Sequence, residues 1–122
     1  MPEPPPRRGS SESIERGAEL YGEHCMRCHG AALSSGQVVA DLRYMTSGTH
    51  EAFQQIVRGG ILSGIGMVSF EEVLSERDAE AVQDYIIEGA HLKWEEDHSQ
   101  EWWREIRDTF YDLISRLLVR II

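Results

Sequence analysis

Apolar positions divide the chain into stretches of helical period separated by glycine-rich and small-residue stretches. Ile14, Ala18, Tyr21 and Cys25 recur at steps of three and four and predict a helix over about 13–24. Glu12 and Glu15 lie near its start, where carboxylates suit the helix dipole. Gly17 inside it costs about 1 kcal/mol relative to Ala, which points to close packing against another helix. Thr49 is a candidate N-cap for a short helix over 50–58, with Phe53, Ile56 and Val57 facing inward and Gly59-Gly60 ending it. Ser75 and Asp78 make a capping-box-like start to a further helix. Ala79, Val82, Tyr85, Ile86 and Gly89 carry its apolar face, and Tyr85 is predicted to pack over Gly17.

The end of the chain carries a different pattern. Trp103, Ile106, Phe110, Leu113 and Leu117 step by three and four in a heptad-like series. With Trp102, Ile114, Leu118 and Ile121 they form a broad apolar stripe over 99–122, while Arg104, Glu105, Arg107, Asp108, Asp112, Arg116 and Arg120 occupy much of the rest. Three partners suit such a stripe: the chain's own domain, the same helix or a partner enzyme, or the membrane interface. It is too short and too charged to span a bilayer. Residues 93–98 are expected to be a hinge. Residues 1–11 are Pro-rich and read as a disordered or extended tail, with Arg7 and Arg8 as solvated linker or docking patch.

Between the first two helical stretches lies Cys25-Met26-Arg27-Cys28-His29-Gly30. This C-x-x-C-H run is the attachment signature of a c-type haem. Two thiols separated by two residues can reach both vinyl groups on one porphyrin edge, and the following His is then held over the iron as proximal ligand. Both cysteines of the chain are used. The rivals are weaker. A thioredoxin-like pair needs a βαβ context. A zinc site needs four ligands, and the spacing of His24 and His50 fits none. A disulfide would close too small a loop to stabilise much.

The remaining candidates follow from that motif. Met67 stands in the Gly-rich loop 61–70 and is the expected sixth ligand, a soft thioether donor for haem iron. Met45 competes with it. His50 and His91 are further candidates with nothing local in their favour. After a small-residue loop over 31–36, the segment 38–44 brings apolar groups suited to a haem edge, and Arg43 and Tyr44 are candidates to bond a haem propionate.

At 122 residues the chain is expected to be one domain with extensions, and its net charge of −9 argues against nucleic acid and disfavours an anionic membrane for most of the surface. An acidic carrier steers toward a basic patch on a redox partner. The first eight residues lack the apolar segment of a signal peptide. Covalent haem attachment in bacteria takes place outside the cytoplasm, so the expectation is a periplasmic protein whose leader was removed, or a piece of a longer exported protein.

The order helix, C-x-x-C-H, loop, short helix, Met loop, C-terminal helix resembles a class I cytochrome c. Within that superfamily, Gly17, Leu20-Tyr21, Cys25 to Gly30, Asp41-Leu42-Arg43-Tyr44, Phe53, Ile56-Val57, Gly59-Gly60, Gly66 to Phe70 and Leu74-Ser75 with Asp78-Ala79 are similar to the C-terminal haem domain of quinohaemoprotein alcohol dehydrogenases over about 13–92. In that family a pyrroloquinoline-quinone propeller oxidises an alcohol and passes electrons singly to the haem. The resemblance implies an all-α class I fold of three to four helices around one covalent haem c over 12–92, followed by the extra amphipathic helix. It implies Cys25 and Cys28 as thioether anchors, His29 and Met67 as iron ligands, and Arg43 and Tyr44 as propionate contacts.

Ala40 departs from the family, which usually has Pro there to orient the proximal imidazole through its carbonyl; Ala keeps the carbonyl but loses the rigid φ. The chain has no room for the propeller, so the implied role is an electron carrier, not an alcohol-oxidising enzyme. Its partners would be a PQQ-dependent dehydrogenase as donor and an oxidase or another cytochrome as acceptor. The rival class is a haem sensor, or a haem-stabilised interaction module whose C-terminal helix drives oligomerisation or membrane-surface docking.

Overall fold

A computed structural model describes residues 1–34 and 39–121. Among the described residues every regular element is helical: α1 (Ser11–His24), α2 (Met26–His29), α3 (Ser47–Glu51), α4 (Phe53–Val57) and α5 (Glu76–Ile121), with 3₁₀ turns at Ala31–Leu33, Leu42–Tyr44 and Ser63–Ile65. The expected loop over 31–36 is described as far as Ser34, and Val38 lies outside the described residues.

The crossing of α1 over α5 organises the domain. Gly17 sits at the crossing, where a Cβ would overlap the Ala81 carbonyl and press on the Tyr85 side chain. The absent side chain lets the two backbones touch, and Tyr21 packs its ring on Tyr85 at 5.3 Å between centroids. Leu20, Tyr21, Leu33, Phe53, Val57, Leu74, Ala79, Val82 and Ile86 form the buried core. Each fully buried large apolar side chain contributes about 1.5–3 kcal/mol relative to exposure.

Local signals account for most element ends. Ser10 caps α1 by accepting from the Ser13 amide at 3.1 Å, so the helix starts earlier than its apolar face suggests. Before α5 the Ser75 hydroxyl accepts from the Asp78 amide at 3.1 Å, and the Asp78 carboxylate accepts from the Ser75 amide at 3.2 Å, a closed capping box. The expected helix over 50–58 is instead two short ones. Thr46, not Thr49, is the N-cap, accepting from the Thr49 amide, and Ala52 with ψ near 6° separates α3 from α4. Gly60, at φ 68°, then turns the chain away after α4.

One expectation about the ends is corrected and the other is narrowed. The stretch 93–98 is not a break: α5 runs through it without interruption. Lys93 bonds Asp97 at 3.1 Å, and the His98 ring donates to the Trp94 carbonyl at 2.8 Å, so i,i+4 pairs hold a polar stretch in helix. Residues 1–10 are extended and docked along α5. Pro4 is buried, and the Pro5 carbonyl accepts from His91 Nε2 at 2.6 Å. Arg7 pairs with Glu88 and Glu95, and Arg8 pairs with Asp84 at 2.6 Å and Gln83 at 2.8 Å. A basic dipeptide has met an acidic helix face.

Candidate functional site

The C-x-x-C-H run is built as one helical turn. Cys25 closes α1, its amide donating to the Tyr21 carbonyl at 2.9 Å. Cys25 then opens the next turn, its carbonyl accepting from the amides of Cys28 at 3.2 Å and His29 at 2.9 Å. Residues three and four apart on a helix share a face. The sequence spacing therefore sets both thiols and the His29 imidazole on one side of the chain. Gly30 ends the turn at φ 84°, a conformation that favours glycine, and its carbonyl accepts from the buried Tyr21 hydroxyl at 2.6 Å. The chain then passes through Ala32 and Leu33, both at positive φ, which delivers Leu33 against Gly89 of α5.

Both cysteines are free thiols, Cys25 partly buried and Cys28 exposed. Burial, and then the neighbouring Cys28, push the Cys25 thiol up to about 11. At neutral pH the unattached thiol is protonated, and a thiol is a poor redox nucleophile. Among the described residues no cluster of three His, Cys, Asp or Glu could hold a metal ion. The raised Cys25 thiol runs against the thiol-redox rival. His29 Nδ1 is buried without a hydrogen-bond partner. The ring is partly buried, with Nδ1 on its enclosed side.

The Met67 loop comes to the same core. Cys25, Met67, Met45, Leu42, Phe70 and Tyr85 all pack on the core cluster. Phe70 donates its amide to the Val57 carbonyl at 2.8 Å and lies 6.1 Å, ring to ring, from His24 beside the attachment turn. The Ser69 hydroxyl donates to the Arg58 carbonyl at 2.5 Å. Within the loop, Gly66 takes φ 109° before Met67, while Ile61, Ile65 and Val68 stay exposed. Open apolar side chains beside a partly buried Met, with two thiols and the His29 imidazole on the attachment turn, fit a flat apolar group carrying a metal.

The other candidates are placed as follows. Arg43 holds Asp41 through Nε at 3.0 Å and Nη2 at 2.7 Å. Burial alone would raise the Asp41 carboxyl, but the hydrogen bonds from Arg43 outweigh it and hold the group below its ordinary value. Tyr44 is exposed beside it. Ala40 is exposed. His50 is buried against α5, where Gln83 Nε2 donates to its carbonyl at 2.9 Å and approaches its Nδ1 at 3.3 Å. His91 is committed to Pro5. Sequence reasoning missed Leu33, which joins the attachment turn to α5 from within a small-residue loop.

Known proteins resemble this chain. The family described as "Cytochrome C oxidase, cbb3-type, subunit III" matches residues 12–86. Quinohemoprotein alcohol dehydrogenase ADH IIB of Pseudomonas putida is 38% identical over 84 residues, covering 69% of this chain and 12% of that protein. Cytochrome c6 of Euglena gracilis is 35% identical over 85 residues, covering 64% of this chain and 94% of that protein. The solved structure of quinohemoprotein alcohol dehydrogenase ADHIIG from Pseudomonas putida HK5 superposes with a TM-score of 0.71 at 37% identity, over 75% of this chain and 13% of that one. The likeness to the dehydrogenases is thus confined to a small part of their length, whereas the small cytochrome is matched almost throughout. With its C-x-x-C-H turn, helical core and Met loop, the chain belongs to this cytochrome c family, and is an electron carrier rather than an enzyme.

Proposed function

We propose that the chain carries single electrons through one covalently attached haem c with His/Met axial ligation. Cys25 and Cys28 would form the thioether bonds, His29 would ligate through Nε2, and Met67 would supply the sixth ligand. The observation that carries this reading is the attachment turn, which offers two free thiols on one face while His29 Nδ1 is sealed. Once bound, the haem supplies a reversible one-electron iron couple, and thioether ligation raises its potential relative to bis-His ligation. The chain's own residues hold the ligands and exclude water. Arg43 has a terminal nitrogen outside its Asp41 pair for a propionate, and Tyr44 has an exposed phenol.

The donor proposed is a PQQ-dependent alcohol dehydrogenase, and the acceptor an oxidase or second cytochrome, in the periplasm. The likeness to ADH IIB supports the donor, and the net charge of −9 suits a basic docking patch.

The test is the optical spectrum of the chain made with a haem-attachment system, compared with Met67→Ala and Met45→Ala. The expected result is a covalent, low-spin haem that excess carbon monoxide leaves six-coordinate, turning high-spin in Met67→Ala alone. A change in Met45→Ala alone would transfer the sixth position to Met45. Carbon monoxide binding to the unaltered protein would replace the carrier reading with a sensor. Absence of covalent haem would overturn the whole assignment.

A further inference from the structure

Beyond electron transfer, we propose that the last part of α5, residues 102–121, lies in the interface of a phospholipid bilayer and holds the haem domain at its surface. Every described residue from 101 to 121 is exposed except the half-exposed Ile114. That removes packing on the chain's own domain from the three partners the stripe could take. Trp103 is 62% exposed, Leu113 56% and Leu117 51%, which is costly for side chains of this size in water.

The charges say what covers the stripe. On the helical projection of α5 the apolar arc runs from Trp102 through Leu117 to Ile114. Arg116 and Arg120 flank one edge of the arc, and Arg107 and then Arg104 flank the other. Glu101, Glu105, Asp108 and Asp112 fall together in the centre of the opposite face, where Val119 is the one large apolar residue. Cations at both edges and anions farthest away are complementary to a phosphate layer with water above it. Arg side chains lay their stems on the apolar boundary and extend the guanidinium to headgroup phosphates. Paired tryptophans at one end of the arc suit the same depth. Over 101–121 there are four Arg and four Asp or Glu, so this stretch escapes the −9 of the chain as a whole.

A second copy of the helix fits less well. A two-stranded seam uses only the positions of the heptad series, which leaves Trp102 and Ile114 outside it. The next seam position after Leu117 is Arg120, which would face its own copy. At about 1.5 Å per residue the arc is about 30 Å long, yet no described helix is long and apolar enough to cross a membrane. It lies on the surface.

The experiment sediments the full haem-loaded chain with vesicles of equimolar phosphatidylethanolamine and phosphatidylglycerol, and measures its mass without lipid by sedimentation equilibrium. The comparison variant is Ile106→Asp with Leu113→Asp, both at exposed positions, with the haem spectrum as the control for folding. The expected result is a lipid-free monomer that co-sediments with vesicles, and a variant that partitions at least about tenfold more weakly. A chain that stays in the supernatant overturns the proposal, as does a lipid-free dimer that vesicles do not dissociate. Binding does not depend on the haem assignment, so vesicle binding without covalent haem would uphold this inference while overturning that one.

Discussion

The Tyr21 hydroxyl donates to the Gly30 carbonyl at 2.6 Å, tying the last full turn of α1 to the residue that closes the attachment turn. Burial above all pushes this phenol up to about 12 from 10.0. A raised pKa means that the neutral donor's contribution is complete below pH 10.0 and fades as pH climbs toward about 12. Tyr21→Phe removes the donor and leaves the carbonyl partly enclosed. We expect a loss of about 1–2 kcal/mol in denaturant unfolding at neutral pH, with the haem spectrum unchanged. An unaltered unfolding midpoint would show that water replaces the bond at no cost.

Gly17 and Gly22 lie in the same helix and predict opposite outcomes. A Cβ at Gly17 would overlap the Ala81 backbone, whereas one at Gly22 would meet nothing within 4 Å. Ala at Gly22 should stabilise the fold by up to about 1 kcal/mol through helix propensity alone. Ala at Gly17 gains the same propensity but has to part α1 from α5, and we expect a net loss of about 1–3 kcal/mol. Thermal melts of the two variants should move in opposite directions. If both rise, the crossing is looser than the contact at Ala81 implies.

His50 makes the domain sensitive to mild acid. Burial, and then the nearby Arg8, lower its pKa from the ordinary 6.5. The unfolded chain therefore takes up this proton at a higher pH than the folded one. The stability linked to neutral His50 is complete above pH 6.5 and is lost as pH falls through the lower folded value. For one proton the slope cannot exceed about 1.4 kcal/mol per pH unit. Urea titrations at a series of pH values should show His50→Gln less acid-sensitive than the parent in this window. Parallel curves would mean that His50 titrates alike in the folded and unfolded chain.

What could be read from the sequence was whatever neighbouring residues decide. The Cys25, Cys28 and His29 turn, the Ser75 and Asp78 box, and the Gly17 gap under Tyr85 all follow from spacing and side-chain size. The polar run 93–98 looked like a hinge because it lacks apolar period, yet its helix is held by i,i+4 pairs that need no buried face. Thr46 and Thr49 are equally good caps by type, and only the course of the chain before α3 chooses between them. Leu33 was hidden because its burial depends on two left-handed residues that carry no glycine. The docked tail was illegible for a different reason: Arg8 and Asp84 meet from 76 positions apart, and nothing local to either predicts the other.

That tail gives the last prediction. Arg8 serves Asp84, a carboxylate only 8% exposed that also accepts from the Ser13 hydroxyl at 2.6 Å. Arg8→Gln leaves this carboxylate enclosed with one donor fewer and also releases Gln83, the residue that holds His50. We expect about 1–2 kcal/mol of lost stability, the value of a hydrogen bond to a charged group in a partly exposed setting. Arg7, itself exposed, pairs with the exposed Glu95 and the half-buried Glu88, a geometry that water and salt largely neutralise. Arg7→Gln should leave the unfolding midpoint where it is, at high and low salt alike. Limited proteolysis should then cut the tail of the Arg8 variant well before that of the Arg7 variant. Equal cutting would mean that Pro4 and the His91 bond to Pro5, not the Arg8 pair, keep residues 1–10 on α5.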